Sequence, residues 1–169
     1  LAASVADGAS TAQALIKRGI AVRGAYIWGN GITLDGLEET DPFWKSPNNQ
    51  KYLLSNKAQL EMESCLSTDG NFFLLVTKKS AKVKVDKVQR IPFGQITGVI
   101  SDPDNSEDIW FYRREWITIT TRPGSDQEDT KKNVVYYPAI DYDETEHGAP
   151  KFFKSHKVSW ESRIAGHSV

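Results

Sequence analysis

The stretch "SDPDNSEDIWFYRREWITIT" (residues 101–120) holds four carboxylates in its first eight residues, then turns abruptly aromatic, basic and β-branched. The second half has the composition strands favour, because branched and aromatic side chains pack well on a pleated surface. The first half reads as the turn that feeds it. Pro103 has no N–H to give a ladder, and Asp and Asn side chains bond their own backbone in turns. A calcium loop fails on position. Counted from Asp102, an EF-hand finds Glu107 where glycine makes the sharp turn and Arg113 where a glutamate closes the site. The later acidic run "DYDETEHGAPKF" (141–152) fails likewise, at Glu146 and Phe152.

Downstream and upstream of this stretch the chain changes character. "FFLLV", "AKVKVDKV", "QITGVI", "NVVYYPAI" and "KVSW" read as further strands, and "RPGSDQEDTKKN" as a long, mobile hairpin tip. Before Gly70 the periodicity is helical. Apolar residues recur from Ala9 to Trp28 at three- and four-residue spacing, and the "GNG" at 29–31 supplies the glycine expected past a helix end. Gly19 and Gly24 each cost about 1 kcal/mol inside such a helix, a cost easier to bear where a neighbouring backbone comes close. "ITLDG" suggests a short strand and "TDPFWKSPNNQ" a loop. A second helix is expected to begin near Pro47 or Ser55, run through "KAQLEMESCL" and stop at "STDGN". Two helices followed by short strands predict an α+β domain, the helices packed on a mainly antiparallel sheet. Its core is expected at Leu60, Cys65, Leu66, Phe73, Leu75, Trp110, Tyr112 and Ile117.

At 169 residues the chain has the length of a single domain, residues 1–169. A formal net charge of -1 advertises no global affinity for nucleic acid. No apolar run reaches the roughly 18–20 residues of a membrane span, and no signal-peptide pattern opens the chain. The lone Cys65 excludes an internal disulfide and a cysteine-rich zinc site, as a reducing compartment would allow. Because Leu1 rather than Met comes first, the chain is expected to be a piece of a longer protein.

Chemical motifs find little foothold. Gly29 and Gly31 form G-x-G, but Leu34 takes the third glycine's place and the motif follows a helix where a dinucleotide site follows a strand. There is no nucleophile elbow and no Walker lysine motif. Cys65 falls on an apolar helix side, where a thiol is structural. His147, His156 and His167 are too irregularly spaced for a local metal pair. No catalytic, cofactor or metal residue is therefore expected. The strongest local charge is "KKSAKVKVDKVQR" (78–90), with Lys78, Lys79, Lys82, Lys84, Lys87 and Arg90 against Asp86. Lys82 and Lys84 alternate with valines, so they share one strand face. That face is a solvated surface, an edge-strand guard, or a surface for phosphate or an acidic partner.

Three stretches, in order, resemble the portal proteins of tailed bacteriophages, the ring-shaped head-to-tail connectors. "LIKRGIAVRGAYIWGNGIT" is similar to the family's first helix, ending in aromatic-Trp-Gly-x-Gly. "NNQKYLLSNKAQLEMESCLSTDGNFFLLV" is similar to its helix of the form A-Q-x-x-x-E, an acidic-Gly turn and an aromatic strand. "VQRIPFGQITGVISDPDNSEDIWFYRREW" is similar to its I-P-x-x-x-I segment, leading through D-P-D to a Y-R-R strand. More loosely, "VSWESRIAGHSV" resembles a strand ending in His. The resemblance implies a wing-region piece of a ring subunit, usually dodecameric and without catalytic residues. It further implies a terminase motor and head and tail proteins as partners, DNA passing through the full ring, and no membrane. The expected location is the virion, and the bacterial cytoplasm during assembly. Nothing in the chain resembles the family's stem, clip or channel loop. In such a ring, charge suggests a contact between Lys78, Lys79, Lys82 and Lys84 of one subunit and Asp102, Asp104, Glu107 and Asp108 of the next. Two rival readings stand beside it. One is a module binding nucleic acid or an acidic partner through residues 78–90, and the other a hydrolase whose His147, His156 and Asp141 converge.

Overall fold

The computed structural model of the chain describes residues 14–33, 35, 38, 41–78, 87–121, 128–147 and 157–168. Helix α1 spans Ala14–Trp28 and α2 spans Asn56–Asp69. The strands are β1 (Asn71–Thr77), β2 (Lys87–Ile91), β3 (Ile96–Ser101), β4 (Ile109–Thr121), β5 (Glu128–Pro138) and β6 (Ser162–Ser168). The fold is α+β. The strands divide between two antiparallel three-stranded sheets, ordered β2-β1-β6 and β3-β4-β5. Among the described residues no helix is long and apolar enough to cross a membrane.

The residues gather into two compact units, one from Leu1–Phe93 with Ala165–Val169, the other Gly94–Ile164. In the first, α1 packs on α2 and α2 on β1. Ser55 caps α2, its Oγ accepting from the Ala58 N–H at 3.2 Å. Gly70 ends the helix in the left-handed region at φ 72, where a Cβ would strain the backbone. The segment expected to be a loop is helical instead. Short turns Pro42–Lys45 and Pro47–Asn49 run into a π-turn at Gln50–Leu54. Each proline occupies a first turn, where its missing N–H costs nothing, and Asp41 and Ser46 take the extended backbone that precedes proline. Asn48 and Asn49 then grip the edge of β2. Asn48 Nδ2 donates to Val88 O (2.6 Å), and Asn49 Oδ1 accepts from the Val88 N–H (2.9 Å). Ile32 and Thr33 join no strand.

In the second unit β3 pairs with β4 only as far as Arg114, whereas β5 pairs along β4 to Thr121. Residues 115–121 therefore form one side of a two-stranded ribbon. This lengthens the expected hairpin, since residues 128–133, expected at its tip, lie in β5. Charged residues are tolerated there because the ribbon is solvated. "KVSW" contributes only an isolated bridge from Val158 to Tyr136, and the strand lies later, in β6.

The core departs from expectation in several places. Phe73, Leu75 and Tyr112 are buried, but Leu60 is 40% and Ile117 64% exposed, while Cys65, Leu66 and Trp110 are half-buried. The buried face of α2 is Ala58, Gln59, Met62 and Glu63, a face chosen by polar partners on α1 rather than by hydrophobicity alone. Ile117 is exposed because β3 has ended before it. Moreover Trp110 and Tyr112 belong to a different unit from α2, where Trp110 and Phe111 both meet Tyr142, the latter at 4.7 Å, and Phe111 meets Trp160 edge-on at 5.9 Å.

Candidate subunit-contact surface

Two carboxylate systems dominate the polar chemistry, one buried and one exposed. The buried one is Glu63, 2% exposed on α2. Arg23 Nε lies 2.8 Å from its Oε1, Ser67 Oγ donates to the same oxygen (3.2 Å), and Trp28 Nε1 donates to Oε2 (3.4 Å). An isolated buried carboxylate is costly, so these donors are what allow the packing. One turn earlier, Gln59 Nε2 donates to Leu54 O (2.9 Å), and its Oε1 is buried without a donor among the described residues. Gly24 makes the helix crossing close. A Cβ there would lie 2.8 Å from Leu60 Cδ2, as expected for a glycine at a helix contact, whereas Gly19 meets nothing within 4 Å. Sequence reasoning missed the Glu63 clasp. The signal was present in the four-residue spacing of Gln59 and Glu63, which puts both on one helix face.

Outside the clasp, α1 leaves much apolar surface uncovered. Leu15 is 82% and Tyr26 88% exposed, with Ile16, Val22 and Ile27 also exposed. A groove of about 380 Å³ runs between α1 and α2, bordered by Lys17, Ile20, Ala21, Ala25, Trp28 and Leu60, among others.

The exposed carboxylate system begins at the turn of residues 102–108. It is a turn held by its own side chains. Asp102 Oδ1 accepts from the Asp104 N–H (2.7 Å), Asn105 Oδ1 from the Glu107 N–H (3.2 Å), and the Asp102 N–H bonds Asp108 O (2.9 Å). The structure also brings the second acidic run of the sequence to this place. Ala139 N–H donates to Trp110 O (2.9 Å), the Trp110 ring lies 6.2 Å from Tyr142, and Trp110 Nε1 donates to Asp108 Oδ2 (3.4 Å). Asp141, Asp143 and Glu144 thus share one end of the second unit with Asp102, Asp104, Glu107 and Asp108. Among the described residues no group of three or more His, Cys, Asp and Glu side chains is placed to hold a metal ion.

Of the basic partners proposed for the acidic turn, Lys78 is exposed just past β1, while Lys79, Lys82 and Lys84 lie outside the described residues. His147 closes a helical turn at Glu144–His147 and His167 sits in β6, whereas His156 lies outside the described residues.

Three described residues of the second unit have shifted acidity. Burial pushes the Tyr112 hydroxyl above its ordinary range, and the Asp141 carboxylate adds to this. Burial does the same to Tyr142, helped by Glu144 and Asp143 and opposed by Arg163. A hydrogen bond from Lys132 holds the Glu115 carboxyl below its usual range, with Arg113 and Thr97 adding and desolvation opposing. Lys132 Nζ is 2.7 Å from Glu115 Oε2, and Arg113 bonds Oε1. These are ion pairs on a strand ribbon. Neither a protein-family model, nor a curated protein, nor a solved structure matches the chain.

Proposed function

We propose that the chain is the wing-region portion of a tailed-bacteriophage portal subunit, a non-catalytic domain that works by assembling with copies of itself. The observation that carries this reading is where the resembling stretches meet. Arg23 and Trp28 belong to the first stretch, Glu63 and Ser67 to the second, and the other three side chains converge on the buried Glu63 carboxylate. Motif residues consumed in this way explain a structural signature without requiring a substrate. The exposed apolar side of α1 supports the same reading, since large uncovered apolar patches mark surfaces that meet a partner. In the parent subunit such a domain sits in a ring that passes DNA, docks the terminase motor and joins the tail within the virion.

Electron microscopy of the purified parent protein tests this directly. Rings with an open central channel are expected, and a monodisperse monomer with no ring under assembly conditions would count against it. The rival enzyme reading has its own test. Replacing His147, His156 and His167 together by Gln is expected to leave virion assembly intact. Loss of assembly with the fold unchanged would assign the histidines a role this reading lacks.

A further inference from the structure

Two surfaces among the described residues have opposite chemistry. The first is the groove side of α1. Lys17 borders it with Ile20 and Trp28, whereas Leu15, Val22 and Tyr26 lie on the opposite side of the helix, and residues 14 to 28 carry Lys17, Arg18 and Arg23 with no carboxylate. Arg23 is taken by Glu63. Lys17 and Arg18 have no ion-pair partner among the described residues, and Lys17 borders the apolar groove beside Leu60. The second is the acidic end of the second unit. It holds seven carboxylates and a half-exposed Ile140; no Lys or Arg occurs in residues 99–110 or 139–147, and the Arg163 that reaches this end is spent on the carbonyls of Ala139 and Tyr142.

We infer that the α1 groove of one copy receives the acidic end of a second copy, Lys17 and Arg18 facing Asp141, Glu144 and the 102–108 turn. This deepens the assembly reading and rests on it for the existence of a self-contact. Charge complementarity selects the occupant. Pairing α1 with α1 would bring cations of two copies together with no acid between them, whereas the acidic end offers carboxylates to Lys17 and Arg18. A net charge of -1 leaves no long-range repulsion between copies. The contact joins two different faces, so it propagates head to tail, as a ring or filament requires. It is an alternative to the pairing of the acidic turn with Lys78, Lys79, Lys82 and Lys84.

Sedimentation velocity over a concentration series at low salt, where exposed charges are least screened, tests it. Lys17→Glu with Arg18→Glu is expected to weaken self-association by about tenfold or more. Asp141→Lys with Glu144→Lys is expected to do the same. All four residues are exposed, so circular dichroism and thermal melts should be unchanged. Carrying all four reversals in one chain, or mixing the two reversed chains, should restore association. A wild-type chain that stays monomeric at every concentration overturns the inference, as does a fourfold variant that fails to recover. So does a loss caused by Lys82→Glu with Lys84→Glu while the α1 reversal is silent. Binding of vesicles of anionic lipid through α1 by a chain that never self-associates would reassign that face to a membrane surface, and equally overturns it. Imaging of the parent decides the ring reading independently, so the two fail separately.

Discussion

Glu63 shows how a single side chain joins two elements. Its carboxylate is buried, yet Arg23, Trp28 and Ser67 each bring it a donor, two of them from α1. Removing it by Glu63→Ala strands no buried charge, because the Arg23 side chain is 52% exposed and regains water. The loss is therefore expected at about 1–3 kcal/mol, the range for hydrogen bonds to charged groups, rather than the larger penalty of a fully buried pair. Urea unfolding measures it. A change below about 0.5 kcal/mol, the scatter of ordinary surface substitutions, would show that α1 is held by apolar contact alone.

At the scale of elements, β1 is where local pattern and burial agree. Phe73 and Leu75 alternate inward, and Phe73 stacks on Phe93 with ring centroids 6.3 Å apart. Phe73→Ala is expected to cost about 3–5 kcal/mol, the usual large-to-small penalty in a core. A denaturation midpoint hardly moved by this change would place the ring in solvent. The β4–β5 ribbon illustrates the opposite case. Its "WITIT" run has strong strand character, but Ile117 and Ile119 are exposed because no described strand covers them. Glu115 anchors the base of the ribbon between Arg113 and Lys132. Its folded acidity is strengthened, so the unfolded chain binds the proton more readily. The stability Glu115 contributes is thus present above the ordinary glutamate range, near 4.5, and is lost as pH falls through its folded value.

For the whole molecule, pH dependence is expected to be unevenly shared. Tyr112 and Tyr142 hold their protons more tightly when folded, so folding retains a proton that the unfolded chain releases near pH 10. Their contribution is intact below that pH and is lost as pH rises beyond it. Both lie in the second unit. Hydrogen exchange compared at pH 9 and pH 11, after correction for intrinsic rates, should show protection falling first in residues 109–114 and 135–140. Protection in residues 56–69 should follow later. Simultaneous loss would mean the tyrosines do not govern alkaline unfolding, and Tyr112→Phe with Tyr142→Phe should remove the difference.

Much of this architecture is legible in the residues because its causes are local. Ser55 and Gly70 bound α2 through bonds spanning three or four positions, the alternation at Phe73 and Leu75 sets the phase of β1, and the 102–108 run closes on itself through its own Asp and Asn side chains. Sequence alone therefore determined the α+β class, the second helix and the nature of the acidic turn. Tertiary structure decided which faces are buried. Glu63 is inside because Trp28, 35 positions away, reaches it, and Val88 is held by Asn49 from 39 positions away. The same holds for the two acidic runs, which share one end only because β5 returns alongside Trp110. Hydrophobic pattern ranks Leu60 above Glu63 for the core, and only the groups that a distant segment brings can reverse that order.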